Sequence, residues 1–172
     1  YNLSLFDPTW FKLDTKQMRE RMLQQMQVKS TQRIQDGTRA YLDFLELGGT
    51  LLLEDLTTEL IQRYLTRGIP ILSGLSSTYL YRAPREIGAD CRDDDILGEP
   101  AGHFVVLAGY DAKTNEVLVA DPYRGGSPGF EAPYYKIRME RVVCAILLGV
   151  LTYDANLLII QPPQELAKGK DK

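Results

Sequence analysis

The chain has 172 residues, of which 44% are hydrophobic and 25% are charged, and its formal net charge is −3. These values are ordinary for a soluble globular protein with one core, and the negative charge argues against a general nucleic-acid or membrane-surface binder. The longest apolar segment, residues 142–151, is interrupted by Gly149 and is too short to span a bilayer.

The first part of the chain predicts a short strand within residues 1–11 and then three helices. Asp14 and Gln17 stand three residues apart, as in a capping box, and methionines at four-residue spacing follow them. Such a methionine stripe indicates a helix face that packs on the core. The predicted N-caps are Asp14, Ser30 and Asp55, and the predicted stops of the second and third helices are Gly48 and Gly68.

The second part of the chain predicts mainly strands. Residues 69–75 form a buried strand, and residues 76–100 are a polar stretch rich in Gly and Asp. Order around residues 79–81 is left open, whereas residues 85–99 are interpreted as a long surface loop. Residues 103–110 and 116–121 predict a hairpin, because both segments are rich in valine and are bounded by turn residues. The remaining predicted elements are a loop at 122–133, a strand at 134–138, a short helix at 142–148 and a strand at 156–160.

The order of these elements predicts the fold class. Helices come first and strands later, with short connections between consecutive strands, which favours an α+β fold with an antiparallel sheet. We expect a single domain over residues 1–166, followed by a disordered charged tail at residues 167–172. The sequence shows no internal repeat, glycine-rich phosphate loop or CxxC pair.

The two cysteines, Cys91 and Cys144, are too few for a disulfide scaffold. Cys91 lies among charged residues, whereas Cys144 lies in an apolar run, so their surroundings do not suggest a pair. This usage favours a reducing compartment, and we expect a cytoplasmic location.

His103 is the only histidine, so any imidazole chemistry of this chain must involve it. A zinc site normally recruits several His or Cys ligands, and the chain offers too few, so we predict no metal site. The acidic run at residues 93–95 lacks the spacing of a calcium loop and is interpreted as a solvated loop. No other cofactor motif is present, and we expect no cofactor.

His103 begins one strand of the predicted hairpin, and Asp121 ends the other. If residues 111–115 form the turn, His103 lies opposite Tyr123, with Asp121 diagonal to it on the same face and within hydrogen-bond reach. A turn one residue longer or shorter would separate the two side chains, so a catalytic pair requires an odd-numbered turn. The alternative is a structural His103, with Asp121 as a turn former before Pro122.

Residues 102–111 and 117–123 resemble the C39-like family of papain-like cysteine peptidases. Their sequences are Gly-His-Phe-Val-Val-Leu-Ala-Gly-Tyr-Asp and Val-Leu-Val-Ala-Asp-Pro-Tyr. In that family, two such strands carry the catalytic His and Asp, and residues 68–75 and 157–162 resemble its flanking strands. The resemblance implies a papain-like fold, with His103 as the general base and Asp121 as the residue that orients it.

The resemblance also implies a reaction and a substrate class. The enzyme would be a cysteine peptidase or amide hydrolase that acts on a peptide or amide through a thioester acyl-enzyme. His103 would deprotonate a cysteine thiol, and Asp121 would stabilise the charged imidazole. We expect the substrate in a cleft lined by Tyr79, Tyr81 and Tyr123.

No cysteine of this chain fits the nucleophile, which in papain-like enzymes starts a helix far upstream of the His. Cys91 lies twelve positions before His103, in an Asp-rich loop that would raise the pKa of its thiol. Cys144 lies downstream of both partners, in an apolar segment where a thiol should be inert. We therefore expect the nucleophile upstream of Tyr1. The alternative is an inactive papain-like module that binds a peptide or acts as a scaffold in a larger protein.

One further partner is predicted for a chain that lacks the helix carrying the nucleophile. Such a chain should expose apolar surface on its N-terminal face. A partner chain or an upstream segment would cover that surface.

Overall fold

The computed structural model describes residues 3–123, 129, 132–150 and 155–161. The chain divides into two compact units, Tyr1–Asp55 and Leu56–Lys172. The single domain expected over residues 1–166 stays a prediction, and the expected disordered tail lies outside the described residues. Within the described ranges, every helix is too short or too polar to cross a membrane.

The first unit contains a 3-10 helix at Pro8–Lys12 and two α-helices, α1 at Thr15–Val28 and α2 at Gln32–Glu46. The predicted strand within residues 1–11 is wrong for the described part, because the Asp7 side chain caps a 3-10 turn that begins at a proline. The capping box of α1 is confirmed: Asp14 Oδ1 accepts from the Gln17 N–H at 2.8 Å, and the Asp14 N–H donates to Gln17 Oε1 at 3.2 Å.

The next two helices begin one or two residues later than predicted. Thr31 rather than Ser30 precedes α2, and Thr57 rather than Asp55 precedes α3, which spans Thr58–Leu65. The Thr57 hydroxyl accepts from the helix backbone three residues later, which explains the start of α3. Both helices are followed, as predicted, by glycines in the left-handed region: Gly48 (φ 88°) and Gly68 (φ 71°).

The second unit is built on a five-stranded antiparallel sheet with the order β6-β5-β4-β1-β7. In chain order the strands are β1 Ile71–Ser76, β2 Glu86–Ile87, β3 Arg92–Asp93, β4 Gly102–Asp111, β5 Glu116–Ala120, β6 Tyr134–Arg138 and β7 Asn156–Ile159. Strands β2 and β3 form a separate small hairpin. The predicted α+β fold, with helices followed by an antiparallel sheet, is confirmed.

Three helices of the second unit contribute to the core on one side of this sheet: α3, α4 (Ser77–Tyr81) and α5 (Met139–Leu148). Alternate residues of the strands face the core, and Leu75, Leu107 and Val119 are fully buried. Each buried aliphatic side chain of this kind contributes about 1.5–3 kcal/mol to stability. The opposite face of the sheet exposes apolar side chains: Leu72, Phe104 and Leu158.

Residues 85–99 are more ordered than the predicted long surface loop, and α4 lies where the sequence left order open. Besides the β2–β3 hairpin, reciprocal backbone hydrogen bonds of 3.1 and 2.8 Å join Glu86 and Glu99. The Asp94 carboxylate accepts from the backbone N–H groups of Ile96 and Leu97. The prediction of a mostly irregular loop is therefore wrong here, since local turn chemistry organises the segment.

Candidate active site

The turn between β4 and β5 is shorter than predicted. Asp111 pairs with Glu116, so four residues, 112–115, form the turn instead of five. In an unbroken ladder, this even number would place His103 and Asp121 on opposite faces of the sheet. The predicted need for an odd-numbered turn would then exclude the pair.

A β-bulge restores the shared face. The ladder passes over Ala108, just beyond the pair formed by Leu107 and Val119. This extra residue reverses the alternation of side chains along β4. Val106 then pairs with Ala120, which is the register predicted for this end of the hairpin. The prediction that a catalytic pair requires an odd-numbered turn was therefore wrong. An extra residue in the strand changes the facing of His103 in the same way as an extra residue in the turn.

His103 and Asp121 meet at the open end of this hairpin. The distance from His103 Nε2 to Asp121 Oδ1 is 2.9 Å. The His103 side chain is 24% exposed, whereas the Asp121 side chain is fully buried. The imidazole thus lies between core and solvent, and its carboxylate partner is closed off behind it.

The Asp121 carboxylate accepts four hydrogen bonds from described residues. Oδ1 accepts from His103 and, at 3.0 Å, from the backbone N–H of Tyr123. Oδ2 accepts from the hydroxyl of Tyr81 at 2.6 Å and from that of Tyr135 at 2.7 Å. Burial raises the pKa of Asp121, but the hydrogen bonds outweigh it and lower the pKa from 3.8 to about 2. Asp121 is therefore an anion near neutral pH.

This anion decides which nitrogen of His103 carries the proton. A carboxylate can only accept a hydrogen bond, so Nε2 must be the donor. The neutral imidazole therefore has its proton on Nε2 and its lone pair on Nδ1. Within the described ranges, Nδ1 has no hydrogen-bond partner. An oriented imidazole with one free lone pair is suited to act as a general base.

Two separate elements bring the tyrosine hydroxyls to Asp121. Tyr81 is the last residue of α4, which the Ser76 side chain caps, and Arg82 ends that helix in the left-handed region (φ 55°). Tyr135 lies on β6 opposite Val119, and it is buried because its position faces the core. The backbone N–H of Asp121 also donates to the Pro133 carbonyl at 2.8 Å, which holds the end of β5 against the start of β6.

The ring of His103 and two tyrosine rings form a cluster. The centroid of the His103 ring lies 6.4 Å from that of Tyr81 and 6.1 Å from that of Tyr123, and the two tyrosine rings are 6.4 Å apart. Their tilted and edge-on arrangements are the ones that aromatic pairs prefer. Because Tyr123 is 47% exposed, this cluster is open to solvent on its side.

The three tyrosines predicted to bind substrate occupy different places. Tyr81 and Tyr123 belong to the ring cluster, and the Tyr81 hydroxyl also donates a hydrogen bond to Asp121. Tyr79 is 36% exposed on the same helix as Tyr81, but residues two apart on a helix point in different directions. No ring contact of the described residues brings Tyr79 into the cluster. Substrate binding by these residues stays a prediction.

The two cysteines are free thiols away from the contacts described for His103. Cys91 is exposed in the β2–β3 turn. A hydrogen bond with Glu86 and the charge of that residue are the main causes that raise the Cys91 pKa; burial and Asp90 add to them. The predicted direction is confirmed, although the main cause is a glutamate. Cys144 lies within α5 and is partly buried.

The described part of the chain contains no group of three or more His, Cys, Asp or Glu residues that could hold a metal ion. The donors around Asp121 show why this carboxylate is a poor ligand, since each of its oxygens already accepts two hydrogen bonds. In the acidic run, Asp94 accepts from backbone N–H groups.

Tyr135 is the site residue that sequence reasoning missed. The strand at residues 134–138 was predicted correctly, and its alternation places Tyr135 on the same face as Ile137. A tyrosine on the core side of a strand needs a hydrogen-bond partner for its hydroxyl. That requirement was the available signal, and Asp121 on the neighbouring strand end was the nearest acceptor in the predicted order.

Comparison with known proteins adds a family to this geometry. The chain matches the model of the Peptidase_C39 like family over residues 13–140, about three quarters of its length. The match includes His103, Asp121 and both tyrosines that bind the carboxylate. No curated protein and no solved structure matches the chain. The helices and the mostly antiparallel sheet agree with the papain-like fold implied by the resemblance, and the chain belongs to the Peptidase_C39 like family.

Proposed function

We propose that this chain provides the general base and its orienting carboxylate for a cysteine peptidase or related amide hydrolase. The observation that carries the proposal is the hydrogen bond from His103 Nε2 to Asp121, which leaves Nδ1 as the proton acceptor. Membership of a peptidase family supports the reaction class.

In the proposed reaction, Nδ1 of His103 takes the proton of a cysteine thiol, which gives a thiolate and an imidazolium. The thiolate attacks the carbonyl carbon of a peptide or amide, and the imidazolium gives its proton to the leaving amine. His103 then takes a proton from water, whose oxygen attacks the thioester. The acid leaves and the proton returns to the thiol. Throughout the cycle, the Asp121 anion faces the imidazole and holds its orientation.

The thiol in this proposal belongs to neither Cys91 nor Cys144. Glu86 raises the pKa of Cys91, which lowers its thiolate fraction, and a reactive cysteine needs the opposite environment. Cys144 lies within a helix whose residues Val142, Ala145 and Ile146 are buried. We propose that a residue outside these 172 positions supplies the nucleophile, from an upstream segment or from a partner chain.

The substrate is proposed to be a peptide or amide that approaches over the exposed ring of Tyr123. This ring lies beside His103 and is half open to solvent, so a bound chain would contact both. Tyr81 is proposed to extend the same surface, whereas Tyr79 stays a predicted substrate contact outside the ring cluster. A cytoplasmic location is also proposed, and it is supported by the two free thiols of the chain.

The proposal is tested by labelling the natural polypeptide that contains this chain with an electrophilic peptide probe and mapping the modified cysteine. We expect the label on a cysteine other than Cys91 and Cys144, at the start of a helix. His103→Ala should slow the labelling about a hundredfold, because a general base contributes that much or more. Cys91→Ser and Cys144→Ser serve as controls and should label like the unmodified protein.

Two results would contradict the proposal. One is labelling of an additional cysteine at the same rate with and without His103. The other is the absence of any further cysteine in the natural polypeptide and in its partners, in which case an inactive peptide-binding module would explain the geometry of the site without catalysis.

A further inference from the structure

Among the described residues, the hydrogen-bond donors to one oxygen of Asp121 are two tyrosine hydroxyls. Tyr81 and Tyr135 both donate to Oδ2, at 2.6 and 2.7 Å, while Oδ1 faces His103 and the backbone of Tyr123. Hydrogen bonds from a neutral donor to an ionised oxygen are shorter and stronger than neutral ones. Among the described residues, each oxygen accepts two hydrogen bonds, so the donors divide evenly between them.

This division fixes the plane of the carboxylate. A carboxylate can turn about its Cβ–Cγ bond, and without donors to Oδ2 only the hydrogen bonds of Oδ1, from His103 and the Tyr123 backbone, would oppose that rotation. Two donors on Oδ2, from α4 and from β6, come from different elements and oppose the rotation. Oδ1 is consequently held in the direction of His103 Nε2.

A purely structural explanation accounts for less of this geometry. A buried tyrosine needs a partner for its hydroxyl, and any backbone carbonyl would satisfy that need. Both hydroxyls instead meet on the same oxygen of the same carboxylate, which contacts the only histidine of the chain. Placing a buried charge there is costly unless it is fully hydrogen-bonded, so the arrangement serves the carboxylate rather than the tyrosines.

We propose that Tyr81 and Tyr135 are positioning residues that hold Oδ2 of Asp121 so that Oδ1 keeps His103 in its Nε2–H form. The catalytic consequence rests on the proposed function, but the positioning itself does not. Tyr81 has a second role in this proposal. The centroid of its ring lies 6.4 Å from that of the imidazole, so the ring limits the movement of His103.

The test uses ¹⁵N NMR of this chain, in which both imidazole signals belong to His103 because no other histidine exists. Tyr81→Phe, Tyr135→Phe and the double variant remove the hydroxyls and keep the rings. Two matched controls remove hydroxyls elsewhere. Tyr79→Phe changes the same helix, and Tyr110→Phe removes a hydroxyl that bonds Gln62 and Asn115 at the other end of the hairpin.

We expect the unmodified chain and both controls to show Nε2 protonated and Nδ1 unprotonated when the imidazole is neutral. In the double variant the two shifts should move toward each other, because Asp121 can turn and the tautomers mix. In ¹³C spectra, the acid titration midpoint of the Asp121 carboxyl carbon should rise by about one pH unit for each lost hydroxyl. A folded double variant with unchanged tautomer and unchanged midpoint would overturn the proposal.

Two further readouts keep the outcome unambiguous. If Tyr135→Phe does not fold, Tyr81→Phe decides alone, and an unshifted Asp121 midpoint in that variant overturns the proposal. None of these spectra needs a nucleophile or a substrate, so an inactive protein with the expected spectra would reject the hydrolase and keep the positioning role. In an active natural polypeptide, Tyr81→Phe, Tyr135→Phe and the double variant should lower kcat. Because these variants keep the rings, KM should be unchanged.

Discussion

His103 Nε2 lies 2.9 Å from Oδ1 of an Asp121 that is buried and ionised. The pair joins the ends of two strands that are adjacent in the sheet, so neither side chain depends on a long loop for its position. The base is partly exposed and the carboxylate is not. The imidazole is therefore accessible to solvent, whereas its carboxylate partner is not.

The tautomer of His103 should depend on Asp121 alone among the carboxylates of the hairpin. Asp121→Ala removes the acceptor from Nε2, so the neutral imidazole should become a mixture of both tautomers in the ¹⁵N spectrum. Asp111→Ala is the matched control, because this carboxylate lies at the other end of β4 and pairs with Lys136. An unmixed Nε2–H form in Asp121→Ala would show that something else orients the ring.

The lowered pKa of Asp121 predicts a loss of stability in acid. A carboxylate whose pKa falls from 3.8 to about 2 on folding stabilises the protein above its unfolded pKa, and this contribution disappears as the pH falls through the folded pKa. The contribution near neutral pH is about 2 kcal/mol. We expect the difference in unfolding free energy between the unmodified chain and Asp121→Asn to shrink by this amount between neutral pH and pH about 2.

Urea unfolding at each pH measures this difference, and the cost of the amide itself cancels because it does not titrate. A difference that is the same at both pH values would mean that Asp121 is not the group that titrates on unfolding.

Ala108 should be dispensable for the His103–Asp121 pair, although it lies between them in the chain. The ladder already passes over this residue, and β1 pairs with β4 only at residues 102–107. Deleting Ala108 therefore leaves both registers intact and should preserve the Nε2–H tautomer. Deleting Val106 removes the same number of residues from β4, so it should also keep the tautomer, but it places Ala108 at the buried position of Leu107 and should cost about 2–5 kcal/mol of stability.

Urea unfolding separates the two deletions by their stability, and the ¹⁵N spectrum of the single histidine reports the tautomer in both. If the Ala108 deletion folds but mixes the tautomers, the bulge does more than supply a residue count, for example by adding twist at this point.

The bulge also shows what the sequence could and could not predict. The two valine-rich strands, their order and the α+β class follow from alternation and turn residues, and these predictions are confirmed. The prediction missed both the four-residue turn and the extra residue Ala108. The two errors cancel, because the face of His103 depends only on the total number of unpaired residues in the turn and the bulge. A bulge of this kind depends on the fit between neighbouring strands, which no local pattern in β4 records.

The two central residues of the site could be predicted from the sequence, but the hydrogen-bond partners of Asp121 could not. His103 and Asp121 stand out because one is the only histidine and the other ends the next strand. The hydroxyl partners were harder to find, since Tyr81 is forty positions from Asp121 in the chain and lies on a five-residue helix that the sequence did not predict as a helix. Its contact requires the packing of α4 on the sheet, which is a tertiary property.

Cys91 should react slowly with iodoacetamide near neutral pH, because Glu86 raises the pKa of its thiol and reduces the thiolate. Glu86→Gln removes the negative charge, keeps only a neutral amide oxygen as acceptor, and should speed alkylation severalfold. Glu99→Gln is the control on the opposite side of the same backbone pairing. Mass spectrometry of timed samples gives the rates. Rapid labelling of Cys91 in the unmodified chain would contradict its assignment as a bystander.

The β4–β5 turn should depend on Asn115 through both its backbone and its side chain. Asn115 adopts the left-handed region (φ 54°), accepts from the Tyr110 hydroxyl at 2.9 Å and donates to Glu140 at 2.7 Å. Asn115→Gly loses the hydrogen bonds but tolerates the backbone, and we expect a loss of about 1 kcal/mol. Asn115→Ala adds left-handed strain and should lose about 2–3 kcal/mol.

Thermal or urea unfolding of the two variants distinguishes these contributions, and equal losses would show that the backbone conformation carries no strain. The comparison bears on the site because the turn sets the pairing of Asp111 with Glu116, from which the register of the whole hairpin is counted. A turn loosened by Asn115→Ala should therefore also broaden the His103 signals, whereas Asn115→Gly, which keeps the turn geometry, should leave them sharp.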